Sequence, residues 1–463
     1  MDFSASNTDL WRMVIEFGLL CLILLGGNIL RRKILPLRKS LLPTAVIAGF
    51  LGLALQRIGL VNLGSDFLEG MTYHAIAIGF IALGLRVPRK NTAAEKPRAV
   101  RDGTSTGLLI VSNYLIQGVL GMLIMIGLAA TVQPGLFRAA GLLLPMGYGQ
   151  GPGQANNIGS TYEQGYGFVG GQSFGLAIAT MGFLWASIGG ILYLNLLVRR
   201  GKLQRPGQTA MAGPEHEPVE DDGEIPLTEA VDRFTIQVAL VMGVYLLTYL
   251  VSAAIVSLFD WIPALAGAKR AIAPLIWGFN FLIGSSLALA VRGVLARLRQ
   301  SGVMIRQYPN NYLLNRVSGF AFDFMIVASI IAIEIDDLAG LWLPFILMTT
   351  LGGLMTFVYN RAMARRLYPD YELEGLISMY GMMTGTISTA ILLLREIDPG
   401  FKTPAANNLV LGSSVAIAVG FPILLMVGFA PQSASMLYLT LGLATLYAVV
   451  LNLLLWRRSR SKR

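Results

Sequence analysis

Apolar stretches of about 20 residues recur along this chain from Met13 to Trp456, and they constrain its fold more tightly than any other feature. At about 1.5 Å per helical residue, each such stretch is long enough to cross a hydrocarbon core of about 30 Å. Composition agrees. Of 463 residues 54% are hydrophobic and 13% charged, about half the roughly 25% charged content of a water-soluble domain, and the mean hydropathy is +0.63. A soluble globular protein is excluded, and the expected fold class is an all-α polytopic membrane protein. The single cysteine, Cys21, lies inside the first apolar run, which rules out an intrachain disulfide and a cysteine metal centre. Two histidines, His74 and His216, argue against a classical metal enzyme. The net charge of +10 is read first as membrane topology, not as affinity for nucleic acid.

The apolar runs place crossings near 12–30, 41–60, 71–86, 105–130, 168–198, 234–259, 271–291, 317–336, 339–360, 405–429 and 434–456, eleven in all, with the third the shortest. The first reads as a retained anchor, because no basic cluster precedes it and Arg31, Arg32 and Lys33 follow it. Loops 31–39, 86–101, 199–233, 292–316, 361–366 and 457–463 hold 29 of the 36 Lys and Arg residues. The opposite side holds only Arg12, Arg57, Arg138, Lys269 and Arg270. The positive-inside rule then puts the N-terminus outside and the C-terminus in the cytoplasm of a multi-pass plasma-membrane (cell inner membrane) protein. Segments 137–167 and 368–404 must each begin and end on one side, the first outside and the second inside. Both are candidate re-entrant hairpins.

Residues 1–198 thus comprise four spans, a hairpin and a fifth span, and residues 234–430 repeat that order. Five crossings is an odd number, so the second half starts on the other side: an inverted repeat, as in many secondary transporters. Between the halves, 199–233 is rich in Pro, Gly and acidic residues, carries His216 and reads as a cytoplasmic linker. Residues 431–463 form an extra transmembrane helix with a basic tail, available for packing or dimerisation.

The hairpins carry the chemistry. Residues 147–171 (GYGQGPGQANNIGSTYEQGYGFVGG) contain nine glycines, against about three expected from 52 in the whole chain. Bare backbone permits close approach, and Gln150, Gln154, Asn156, Asn157, Ser160 and Thr161 add neutral donors and acceptors. Irregular backbone at membrane depth is tolerated only where it is buried in protein or lines a cavity. Asn156, Asn157 and Ser160 lie close to the start of the returning half-helix, whose free N–H groups and positive dipole end suit a carboxylate. The matching break in the second half runs through 378–396, where Gly381, Thr384, Gly385, Thr386, Ser388 and Thr389 precede a short apolar helix ending at Arg395. Thr384 or Thr386 can cap that helix, and hydroxyls with freed carbonyls suit a hard cation such as Na⁺. Alternatively, these small residues serve close helix packing.

Asp323 is the one charge well inside an apolar run. At about 2.5–3.5 kcal/mol or more for a central carboxylate, it is expected to face a partner, a cation or a cavity, as a cation or proton site or as a paired or protonated group. Asn407 and Asn408, at the opening of the tenth span, can cap it or reach the second hairpin, and they join Asp323, Thr386 and Ser388 as candidate cation ligands. Asn28, Asn113 and Asn280 read as interhelical hydrogen-bonding groups. An enzyme needs acids, bases or metal ligands gathered at one leaflet, a channel needs a continuous polar stripe, and an ATP-driven pump needs a P-loop; the sequence offers none of these.

Two stretches resemble the sodium/glutamate symporter family. The run GYGQGPGQANNIGSTYEQGYGFVGGQSFGLAIATMGF is similar to that family's first hairpin and following helix, with the YGF step at Tyr166–Phe168 and the AT-x-G-F step at Ala179–Phe183, while the tip departs from the family's GGHG-type sequence in carrying Gly149, Gln150 and Gly151. The run MYGMMTGTISTAILL is similar to its second hairpin, with Thr389 and Ala390 at the T-A step. As a divergent member, the chain is expected to import L-glutamate or a related anion with Na⁺. The resemblance implies an elevator-like alternating-access mechanism, a mobile core holding both hairpins, and a scaffold that dimerises. Substrate ligands are expected among Gly149, Gln150, Gly151, Gln154, Asn156, Asn157, Ser160, Thr384, Gly385, Thr386, Ser388 and Thr389. No catalysis and no cofactor beyond the coupling ion is expected. Moving one charge through 100 mV is worth about 2.3 kcal/mol, so an anion entering a negative-inside cell needs cotransported cations, Na⁺ first and H⁺ second. The alternatives are a cation/proton antiporter and a proton-coupled organic-anion carrier.

Overall fold

Long apolar runs punctuated by Gly, Pro and basic clusters fold as helices that stop at those signals. A computed structural model describes residues 8–39, 42–87, 96–203, 233–261, 273, 276–278, 280–398 and 402–460. Among these residues the regular structure is helical, with no β-strand. The principal helices are α1 (Thr8–Lys33), α2 (Thr44–Arg57), α3 (Ser65–Leu85), α4 (Lys96–Thr131), α6 (Gly171–Arg199), α7 (Arg233–Trp261), α8 (Asn280–Gln300), α9 (Asn311–Ile331), α10 (Trp342–Leu367), α13 (Ala405–Phe429) and α14 (Ala434–Arg460). The shorter α5 (Pro152–Tyr166), α11 (Glu372–Thr384) and α12 (Ile387–Arg395) belong to the two hairpin segments.

Nine of the described helices are long and apolar enough to cross a membrane by themselves. Helix α13 joins them as a pair, Ala405–Ser413 and Val415–Phe429, bent by 47°. The expected second crossing falls on α2, an apolar helix of 14 residues, which is shorter than the 21 residues of the third. At about 21 Å it falls short of the core thickness. Its limits are local: it starts directly after Pro43 and ends where Gly59, at φ +74°, reverses the chain, with Leu60 N–H bonded to Leu55 C=O and Gly59 N–H to Gln56 C=O. The seventh expected crossing, 271–291, falls in part on α8, which continues through the basic residues to Gln300. The start of that expected span and most of the 199–233 linker, His216 included, lie outside the described residues.

The chain divides into two compact units. The first comprises Met1–Glu69, Thr92–Gly213 and Ile326–Arg463. Its helices approach closely where glycines face one another or small side chains, the usual membrane packing. A Cβ on Gly27 would lie 2.6 Å from that of Ala48, which seats α1 on α2, and one on Gly412 would lie 2.6 Å from Thr106 Cγ2, which seats α13 on α4. Asn113 and Asn360 exchange amide hydrogen bonds of 3.2 and 2.8 Å between α4 and α10.

At one end of this unit Arg57 Nη1 donates to Asp336 Oδ2 at 2.9 Å, with both side chains exposed. That hydrogen bond and the arginine's charge hold the Asp336 carboxyl below its usual range. With a depressed folded-state value, the pair adds stability above the ordinary carboxylate pKa of about 3.9, and loses it as pH falls through the lower folded value. Exposure keeps the contribution small and salt-sensitive. Melting temperatures of wild type and Asp336→Asn are therefore expected to differ slightly near pH 6 and to converge towards pH 3, two round values bracketing that pKa; a difference constant with pH would show that the pair contributes nothing.

The second unit comprises Gly70–Asn91 and Pro214–Met325. Its core is Ile81, Ala82 and Leu85 of α3, Val241 and Val244 of α7, Ala288 of α8, and Leu314 and Val317 of α9. Arg292 donates to the carbonyls of Gly84 (3.3 Å) and Arg86 (2.8 Å), placing a cation at the negative end of α3. Asn311 both accepts from and donates to Val87, at 2.8 Å each way.

Candidate functional site

Two interrupted helices of the first unit converge. Residues 138–150 pass from a 3₁₀ turn through one α turn into a π turn at Met146–Gln150, a form common at functional sites. The chain then reverses at Gly151, where φ +91° and ψ −176° admit only glycine, and returns as α5 with Pro152 at its first position. Gly151 has no side chain, so no cap bond covers the first turn of α5. In the second interruption α11 ends at Thr384, Gly385 and Thr386 cross over, and α12 begins with Thr386 as its cap, its hydroxyl accepting from Thr389 N–H at 3.5 Å.

The two crossover points are neighbours: a Cβ at Gly151 would lie 3.5 Å from Thr386 Cγ2. Gly182 of α6 rests directly against the Thr384 carbonyl. Two adjacent helices, α4 and α10, hold the pair. Gln117 of α4 donates to the Met383 carbonyl and to Thr356 of α10, both at 2.9 Å. Tyr148 of the first interruption donates to the Thr349 carbonyl of α10 at 2.6 Å. The bare Cα of Gly149 faces the Tyr114 ring, and a Cβ there would lie 3.3 Å from Gln117 Oε1. Tyr380 of α11 donates at 3.0 Å to the carbonyl of Trp185, the first residue of a second π turn, Trp185–Gly189, in α6.

This meeting point is uncharged. Neither 139–162 nor 375–394 contains an Asp, Glu, Lys or Arg. Its electrostatics come from the partial positive charge of two helix N-termini and from the carbonyls at the ends of the incoming limbs. Gly147, Tyr148, Gly149, Gly151, Gly153, Thr384 and Gly385 are buried, while Gln150 and Thr386 are half-buried. Gln154, third residue of α5, is 0% exposed. Neither its amide nitrogen nor its amide oxygen has a hydrogen-bond partner among the described residues, an expensive state for a buried amide and one that a bound polar group would relieve.

The remaining sequence candidates fall into distinct places. Asn156 and Asn157 are buried on the second turn of α5, behind the break, and Asn156 Oδ1 is taken up by Gln172 of α6 at 2.9 Å. Ser160 accepts from Gln164 at 3.0 Å, one turn further still. Thr384 turns its hydroxyl back to the Tyr380 carbonyl at 2.8 Å, and Thr389 is fully buried in α12. Ser388 lies in α12, and its side chain is outside the described residues. Asn407 is exposed. Asn408 is buried and donates at 2.8 Å to Tyr371, so it reaches the base of the second interruption, 13 residues before Thr384 in sequence. The cap of α13 is Pro404, not either asparagine. Asp323 lies on α9 in the second unit with its side chain exposed.

Gln117, Thr356 and Tyr148, which are not among the sequence candidates, hold the crossovers in place. Gln117 had a visible signal, as a second amide one helical turn after Asn113 in an otherwise apolar run. The fold and the apolar spans together define an all-α, polytopic membrane protein. No family model matches this chain, and no curated protein matches it.

Proposed function

We propose that this protein is a secondary-active transporter that carries a small organic anion, L-glutamate or a related amino acid, together with Na⁺, in the manner of the sodium/glutamate symporters that its two hairpin sequences resemble. The observation that carries this reading is the buried, uncharged junction of two helix crossovers, where Gln154 offers an unsatisfied amide beside the uncapped first turn of α5. Helix N-termini hold the carboxylate, and Gln154 adds one donor and one acceptor. Carbonyls of the incoming limbs and the Thr386 hydroxyl hold the cation.

An inverted repeat of two five-helix halves, each with a re-entrant hairpin and followed by one extra helix, accounts for the way the clamps are exchanged. The first crossover is tied to α10, the fourth span of the second half, and the second to α4, the fourth span of the first. In this reading the junction moves between two openings with the helices that clamp it.

The test is uptake of radiolabelled glutamate into proteoliposomes under inward Na⁺, H⁺ or K⁺ gradients, with competing amino and dicarboxylic acids. Uptake driven by the Na⁺ gradient is expected, and no gradient-driven uptake of any compound in the panel overturns the reading. Thr386→Val removes both the cap of α12, worth about 1 kcal/mol, and the cation's hydroxyl, and Asn156→Leu cuts the Gln172 tether. Each is expected to lower uptake strongly while the protein still reaches the membrane; wild-type rates in both would move the site elsewhere.

A further inference from the structure

Away from the crossovers, α4, α10 and α14 frame an open apolar cavity of about 540 Å³, walled by Ile116, Val119, Met363, Val449 and Leu453. Its few polar side chains are already committed. Asn452 accepts from Tyr359 and donates to Ser112 and to the Ala448 carbonyl, each at 2.8 Å, and Thr445 donates to the Leu441 carbonyl at 2.7 Å. The cavity wall thus offers hydrocarbon and no spare donor. At one rim stands Arg366, exposed, with its guanidinium carbon 5.5 Å from the centre of the Trp456 ring and no acidic partner among the described residues. Arg457 and Arg458 follow on α14.

We propose that this groove binds one anionic phospholipid, its acyl chain lying along α14 and its phosphate held by Arg366. Three observations favour that occupant. From Thr445 to Trp456 the groove runs along eleven residues of helix, or about 16 Å, close to half of a roughly 30 Å core and so the depth of one leaflet. The basic rim is the end of α10 and α14 that the Lys and Arg distribution assigns to the cytoplasm, where anionic lipid headgroups meet basic residues near the surface. A second copy docking through this face would bring no counter-charge, since neither 342–367 nor 434–460 contains an acidic residue. The guanidinium, set over the indole at cation–π distance, has N–H donors to offer a phosphate.

Native mass spectrometry of the full chain in mild detergent, titrated with phosphatidylglycerol or phosphatidylcholine, tests this independently of any transport assay. One phosphatidylglycerol per chain is expected, bound about tenfold more tightly than phosphatidylcholine, the scale of one charge-assisted hydrogen bond. Arg366→Gln is expected to abolish that preference and Arg366→Lys to keep most of it. Val449→Trp, at an exposed wall position, should displace both lipids. Equal phosphatidylglycerol binding by wild type and Arg366→Gln overturns the proposal, as does a lipid-free dimer that Val449→Trp dissociates.

Discussion

Replacing Gln154 by Leu is expected to abolish uptake and, in the same protein, to leave the melting temperature unchanged or higher. The two effects separate because Gln154 makes no hydrogen bond within the described protein. Its truncation to an apolar side chain of similar size forfeits no internal bond and removes a buried, unsatisfied amide, whose burial costs about 1–3 kcal/mol on protein mutational scales. A residue that destabilises the fold at a junction of two helix crossovers marks a place where stability is exchanged for binding. Gln117→Leu makes the opposite prediction. It strands the Met383 carbonyl and the Thr356 hydroxyl, so a loss of about 1–3 kcal/mol accompanies any loss of uptake. Thermal unfolding by intrinsic fluorescence alongside the uptake assay distinguishes them. Wild-type uptake by Gln154→Leu would detach Gln154 from the site.

The second large effect lies where the first hairpin meets α4. A Cβ placed on Gly121 would collide with the Gly141 carbonyl, and one placed on Gly141 would collide with the backbone of Gly121 and Met122. Here backbone packs on backbone, so no side chain can rotate away, and Gly121→Ala must push the limb 138–150 off the helix. Overpacking of a tight contact typically costs about 1–3 kcal/mol, and this one is expected at or above the upper end. Gly127 lies on the same helix with nothing within 4 Å of its missing Cβ. Gly127→Ala is expected to be neutral or to stabilise by about 0.5–1 kcal/mol through helix propensity. Size-exclusion monodispersity and melting temperature of the pair read out the contrast. Equal behaviour of the two variants would mean that the hairpin is not seated on Gly121.

Much of the site's location was legible in the amino-acid order, because glycine density is a local property. Nine glycines between 147 and 171 mark a backbone that cannot remain a regular helix, and the Thr-Gly-Thr step at 384–386 marks another. The residue that turns the chain was harder to read. Asn156, Asn157 and Ser160 stand close to the expected helix start, whereas Pro152 in the first position puts Gly153 and Gln154 there and sends the asparagines to the second turn. Proline's preference for that position was the available clue. Asp323 stands out in the sequence by its charge; it lies on α9 with its side chain exposed.

Hydropathy, loop charge and turn chemistry act over one helix or less, and for that reason the amino-acid order was enough for the helical class, most of the long apolar helices and the two points at which helices break. The clamps join residues far apart in the chain: Gln117 to Met383, Tyr148 to Thr349, Gly151 to Thr386. These pairings come from the three-dimensional packing, because which buried amide is satisfied and which is left open depends on helices that meet across 200 residues or more of intervening chain, and no local pattern records that meeting.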